Sequence, residues 1–268
     1  MSINIFDARP EYNTWLGKIN PGIKLLVATV VTLLLVFTVD AVTGTVALVL
    51  EMIALVIAGF KPFNLLARFW PILLATLLSG WGTAILAEKT GTVLLDFAYI
   101  TITTGSLASG VGIMMRGLAM TMPALMLMLT TDPTDLGDSL AQTYKLPARF
   151  VLAALAALRL VGIMFSEWNT LGAARRARGV GARNGVLGTA KSVCGQVFTL
   201  LVQAIRRGTR LAMTMEARGF GAGQRTWARV PTHSSKDLVF ALTWLAIPVI
   251  AYSISLYAGT LKLVFGSF

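Results

Sequence analysis

Few residues in this chain of 268 can do chemistry, and their types exclude most reactions. There is one histidine, His233, and one cysteine, Cys194. A Ser/His/Asp or Cys/His set cannot be built around His233, and a histidine cluster, a disulfide framework and a cysteine metal site are equally excluded. Residues 185–192 read Gly-Val-Leu-Gly-Thr-Ala-Lys-Ser. They lack the adjacent Gly-Lys and the spacing of a phosphate-binding loop. What remains is recognition by charge. The phrase Ala177-Arg178-Gly179-Val180-Gly181-Ala182 returns as Ala217-Arg218-Gly219-Phe220-Gly221-Ala222, changed only at its apolar fourth position. Arginine presents a planar fork of donors suited to carboxylates and backbone carbonyls.

Each copy closes a long stretch free of proline, which predicts a helix ending at each Ala-Arg-Gly. Glycine just past the last turn enters the left-handed conformation at little cost. The arginine falls where the helix dipole is negative, and Phe220 is placed to fold back on Met215. An ordinary pair of helix stops accounts for either copy alone. Two near-identical copies point to matched helix tips offered to a partner with matched sockets.

The elements that carry these tips belong to a membrane protein. Hydrophobic residues make up 56% of the chain, charged residues 13%, and mean hydropathy is +0.74. A soluble domain has roughly twice that charged fraction. The net charge is +11, and all of it lies in residues 134–236, which hold fifteen basic and four acidic residues. Lys and Arg are retained on the cytoplasmic side, so this block is expected there. Its sign alone could suggest nucleic acid, but aromatic residues are sparse in it and topology already explains the charge.

Residues 1–22 read as a cytoplasmic lead rather than a signal peptide, with Asn20-Pro21-Gly22 as turn and helix start. Lys24 marks the membrane edge. Five spans are expected, at residues 25–39, 42–60, 69–86, within 100–129, and 238–257. Residues 134–144 form a short amphipathic helix, and Pro147 opens a helix running to the first repeat. Residues 179–188 are a turn, and residues 186–217 are a second long helix. The apolar run 151–165 is short for a sixth span and 193–205 shorter still, so both long helices are expected to lie along the inner membrane face, their apolar sides covered by lipid or another membrane protein. The fold class is an all-α polytopic membrane protein in three parts. These are a four-span region (1–132), a basic cytoplasmic region with two long helices ending in Ala-Arg-Gly (133–236), and a last span (237–268) ending outside.

Two ionisable residues fall inside spans, Glu51 and Arg116, and could pair or line a polar path. The fourth span is crowded with methionines (114, 115, 120, 122, 126 and 128), which suit core filling, and Ser106 and Gly110 could admit a close helix.

At the repeated Ala-Arg-Gly the sequence resembles the transmembrane T component of energy-coupling factor transporters. Further stretches are similar. They are Asn20-Pro21 with Lys24, Thr130-Thr131-Asp132-Pro133 followed by Asp135-Leu136, Leu146-Pro147, Arg159, and Glu216-Ala217-Arg218-Gly219-Phe220. The resemblance covers nearly the whole chain and is most specific over residues 130–220. It implies a non-catalytic scaffold. Ala177, Arg178, Gly179, Ala217, Arg218 and Gly219 would bind two ABC-type ATPase subunits, supported by Arg159, Glu216 and Phe220. A separate membrane-embedded S component would carry the cargo, a vitamin or related micronutrient, and ATP and Mg would be held by the ATPases. Contact with the S component is expected along residues 151–165, at Leu155 and Leu158. The competing readings are a stand-alone secondary transporter or channel using Glu51 and Arg116, and a T component serving nickel or cobalt.

Overall fold

The computed structural model describes residues 15–97, 100–179, 185–221, 223, 227, 230, 234–263, 266 and 267. Residues 1–14 of the lead expected at 1–22, residues 180–184 of the turn expected at 179–188, and His233 lie outside them. Helices dominate, and the chain divides into two compact units: residues 8–136 with 232–268, and residues 1–7 with 137–231.

In the first unit α1 (Pro21–Val36) starts where the sequence predicts. Asn20 accepts from the Gly22 N–H at 2.9 Å, and Pro21 occupies the first turn, where its missing N–H costs nothing. α2 (Ala41–Ile57) is capped by Asp40, which accepts from the Thr43 N–H at 3.0 Å. Its buried stripe is Thr43, Gly44, Ala47, Glu51 and Leu55, while Val49, Ile53 and Val56 on the opposite side are more than half exposed. A helix apolar all round is what a lipid environment selects. α3 (Pro62–Arg68) and α4 (Trp70–Leu86) follow.

A hairpin then departs from expectation. β1 (Val93–Phe97) pairs antiparallel with β2 (Ile100–Thr103), so the first residues allotted to the fourth span form a strand. Ile-Thr-Ile-Thr is as good a strand as a helix start. α5 (Thr104–Thr130) begins with a capping box in which the Thr103 and Ser106 side chains each accept from the other's N–H. Gly110 makes a close helix approach. A Cβ on Gly80 would lie 2.7 Å from the Gly110 carbonyl oxygen. Met122 and Met126 fill the core as expected, whereas Met128 is 46% exposed. α9 (Ser235–Tyr257) completes this unit, and its Phe240, Trp244, Ile247 and Ala251 join Val27, Leu55, Ala119 and Met122 in one core.

Polar ties close both ends of the unit. At one end the Asn20 N–H donates to Asp237 at 3.1 Å, and Lys24 donates to Thr130. At the other, Ser255 donates to Asp40 at 2.5 Å, Tyr252 to the Leu34 carbonyl, and Arg116 to the Thr38 carbonyl. Lys24 is thus held inside the unit rather than free at its surface. It is fully buried.

α6 (Pro133–Gln142) links into the second unit, which holds α7 (Ala148–Ala177) and α8 (Gly185–Ala217). α7 has no buried residue. Among the described residues, three helices can cross a membrane by length and composition: α5, α7 and α9; α1, α2 and α4 are shorter apolar helices. α7 thus qualifies although residues 151–165 alone are short, because the helix extends beyond them at both ends.

Candidate functional site

The two repeats sit at the ends of α7 and α8. Ala177 is the last helical residue of α7, Arg178 its cap, and Gly179 has φ +73°. The Gly179 N–H donates to the Arg176 carbonyl at 3.0 Å. The α8 terminus repeats this construction. Gly219 has φ +69°, and its N–H donates to the Glu216 carbonyl at 2.9 Å. The Phe220 N–H reaches back to the Met215 carbonyl at 2.9 Å, completing the two-bond closure that a left-handed glycine allows. Val180, Gly181, Ala182 and Ala222 lie outside the described residues.

These closures satisfy carbonyls that would otherwise compete for the arginine side chains. Arg178 and Arg218 are exposed, and among the described residues neither guanidinium has a hydrogen-bond or ion-pair partner. Ala177 and Ala217 are also exposed, so each tip is narrow just behind its charge. Arg159 and Glu216 are exposed, and Phe220 is half-buried.

α7 and α8 run antiparallel. Gln196 donates to the Trp168 carbonyl at 2.6 Å, Arg207 forms an ion pair with Glu167, and Arg149 at the start of α7 donates to the Gly221 carbonyl beyond the end of α8. The second tip is therefore beside the beginning of α7 and the first is at its end. With 30 residues in α7, a rise of 1.5 Å per residue separates the tips by about 45 Å. The site is two matched arginine tips at opposite ends of a stiff helical pair. It offers no nucleophile or acid–base set, only directed binding of carboxylates or carbonyls.

The chain matches the family described as cobalt transport protein, CbiQ, over residues 12–227. The chain belongs to the CbiQ family, the transmembrane T components of energy-coupling factor transporters. It is 29% identical to the energy-coupling factor transporter transmembrane protein EcfT of Listeria innocua over 79% of this chain and 83% of that protein. It is 26% identical to the protein of the same name from Staphylococcus aureus over 92% and 95%, and 30% identical to EcfT 1 of Listeria monocytogenes over 69% of each.

Other candidates from the sequence are placed differently. Leu158 is 43% exposed, but Leu155 is half-buried against Gly137 in α6, where a Cβ would lie 2.7 Å from it. Glu51 and Arg116 are not brought together. Arg116 holds the Thr38 carbonyl, and the Glu51 carboxyl has no hydrogen-bond partner among the described residues. Sequence reading missed the Lys24–Thr130 tie, whose only signal was a lone lysine in the first turn of an apolar helix.

Proposed function

We propose that this T component is the membrane scaffold and coupling subunit of an energy-coupling factor importer. The Arg178 and Arg218 tips each seat in a groove of one ABC-type ATPase subunit, and those subunits hold ATP and Mg. α7 presents Leu158 and its apolar neighbours to a membrane-embedded S component that carries the cargo. The N-terminus and residues 133–236 face the cytoplasm, following the concentration of positive charge. ATP-driven movement of the ATPases then reaches the S component through α7 and α8, which transmit displacement as stiff rods.

The observation that carries this reading is the duplication. Two equal, exposed arginine tips at the far ends of an antiparallel pair fit two copies of one kind of socket better than a single ligand site. The exposed apolar residues of the pair support a membrane-embedded neighbour: Phe165 is 62% exposed and Phe198 67%.

The cargo is a vitamin or related micronutrient. The family's description as cobalt transport favours a second reading, in which the cargo is a transition-metal ion. The S component makes that choice.

Co-purification tests the assignment. Tagged chain expressed with its ATPase subunits is expected to retain both of them in detergent, and the Arg178→Glu/Arg218→Glu double variant to lose them. Elution of the wild-type chain alone as a stable particle would overturn it.

A further inference from the structure

The core of the unit built from α1, α2, α5 and α9 encloses a carboxyl with no counterpart. Glu51 in α2 is 0% exposed, and neither of its carboxyl oxygens has a hydrogen-bond partner among the described residues. The helix register shows what lies at its level. α2 and α5 run parallel, with Gly112 against Ala41 and Arg116 against Gly44. Two turns further along both helices, Glu51 is level with Met122 and Pro123. α9 runs the other way, with Ser255 bonded to Asp40. Eleven residues along from that bond, Trp244 is level with Glu51. Ala47, Leu55, Ala119, Met122 and Trp244 all belong to the same buried cluster.

The two helices facing Glu51 each contain a proline, Pro123 in α5 and Pro248 in α9. Proline has no N–H to return to the carbonyl four residues earlier. Those carbonyls belong to Ala119 and Trp244, which are 0% and 3% exposed. An acid without a partner and two carbonyls without their helical donors thus occur at nearly one depth in one core. Unsatisfied polar groups are costly there.

An ionised carboxylate only accepts hydrogen bonds and would add to this shortage of donors, whereas the neutral acid supplies an O–H. Among the described side chains of the surrounding helices, no cation is placed to pair with it. Arg116 of α5 lies nearly two turns away and holds the Thr38 carbonyl, and Lys24 of α1 holds Thr130 at the end of α5. In α9 the charged residues are Lys236 and Asp237 in its first turn, and in and beside α3 they are Lys61 and Arg68.

We propose that Glu51 is a buried proton-binding site, kept as the neutral acid, whose O–H serves the proline-freed carbonyls of Ala119 and Trp244 directly or through one water. It fastens α2 to α5 and α9 where each lacks a backbone hydrogen bond. The inference does not rest on the assignment of ATPase or S-component surfaces.

Infrared spectroscopy of the full chain in lipid vesicles at neutral pH tests it. The wild type should show the carbonyl stretch of a protonated carboxylic acid, above the amide band, and carbon-13 glutamate should move that band. Glu51→Gln, which keeps a neutral donor, should lose it. Glu51→Asp provides a second route if the first variant is recovered poorly. It should keep an acid band that no longer responds to labelled glutamate. Absence of a glutamate-dependent acid band in the wild type, or its survival in Glu51→Gln, would overturn the proposal.

Discussion

The Lys24 ammonium in the first turn of α1 donates to the carbonyl oxygen of Thr130 at 3.0 Å and to its hydroxyl at 3.4 Å, across 106 residues of sequence. Thr130 is the last residue of α5, where backbone carbonyls lose their helical donors. Lysine thus caps the end of a different helix from its own. Both residues are buried, 0% and 2% exposed, so water offers little substitute. Lys24→Ala should cost about 1–3 kcal/mol by leaving the carbonyl unpaired. Thr130→Val, which spares the carbonyl, should cost less. Thermal unfolding of the two variants in one detergent checks the order.

The separation of the two tips gives a prediction about stoichiometry. Sites this far apart, sharing no neighbours, act nearly independently. Arg178→Glu and Arg218→Glu should each weaken one ATPase contact by about 2–5 kcal/mol, the usual cost of breaking a paired interface charge. Each single variant should therefore retain one ATPase subunit while the double variant retains none. Native mass spectrometry of the purified complex counts them. Full recovery of both subunits with either single variant would remove that arginine from the interface.

The glycines of the tips are required by conformation. At φ +69° a side chain costs about 1–2 kcal/mol in the left-handed region. Gly219→Ala should loosen the closure made by the Phe220 N–H on Met215 and so misdirect Arg218. Limited proteolysis should cut nearer the end of α8 than in wild type, and ATPase recovery should fall without any change in charge.

Much of this organisation is legible in the sequence because its signals are local. Pro21 after Asn20 starts α1, and each Ala-Arg-Gly stops a helix, as glycine chemistry requires. What escapes is set by tertiary contacts. Ile100 to Thr103 reads equally as strand or span until Val93–Phe97 pairs with it. The partner of Lys24 is not legible until Thr130 is brought beside it. Glu51 and Arg116 suggest a pair by charge alone, but α2 and α5 run parallel with Arg116 at the level of Gly44, while Glu51 is two turns further on. Leu155 and Leu158 look equivalent in an apolar run, and only the placement of Gly137 separates them.

The crossing of α4 and α5 depends on two glycines meeting. A Cβ on Gly110 would lie 2.5 Å from the Gly80 carbonyl oxygen and 2.9 Å from the Ala84 Cβ. Neither the backbone nor a short alanine can give way cheaply. Gly110→Val should destabilise by about 1–3 kcal/mol through overpacking. Gly82 has nothing within 4 Å of a built Cβ, so Gly82→Ala should be close to neutral. Melting temperatures of the two variants distinguish a specific crossing from a general intolerance of larger residues in α4 and α5.

The different surroundings of Leu155 and Leu158 allow the S-component surface to be tested without disturbing the fold. Leu158 is 43% exposed on a helix with no buried residue, so a charge there meets few neighbours within the chain. Leu155 lies against Gly137, and a charge there would also disturb α6. Leu158→Glu should release the S component while ATPase recovery and melting temperature stay near wild type. Leu155→Glu should lower the melting temperature as well, so its effect on S-component recovery is not diagnostic by itself. Pull-down of the S component with each variant, normalised to the ATPase recovered, provides the measurement. Unchanged recovery with Leu158→Glu would move the contact away from this face of α7 and leave Phe165 or the exposed apolar side of α8 as the surface to probe.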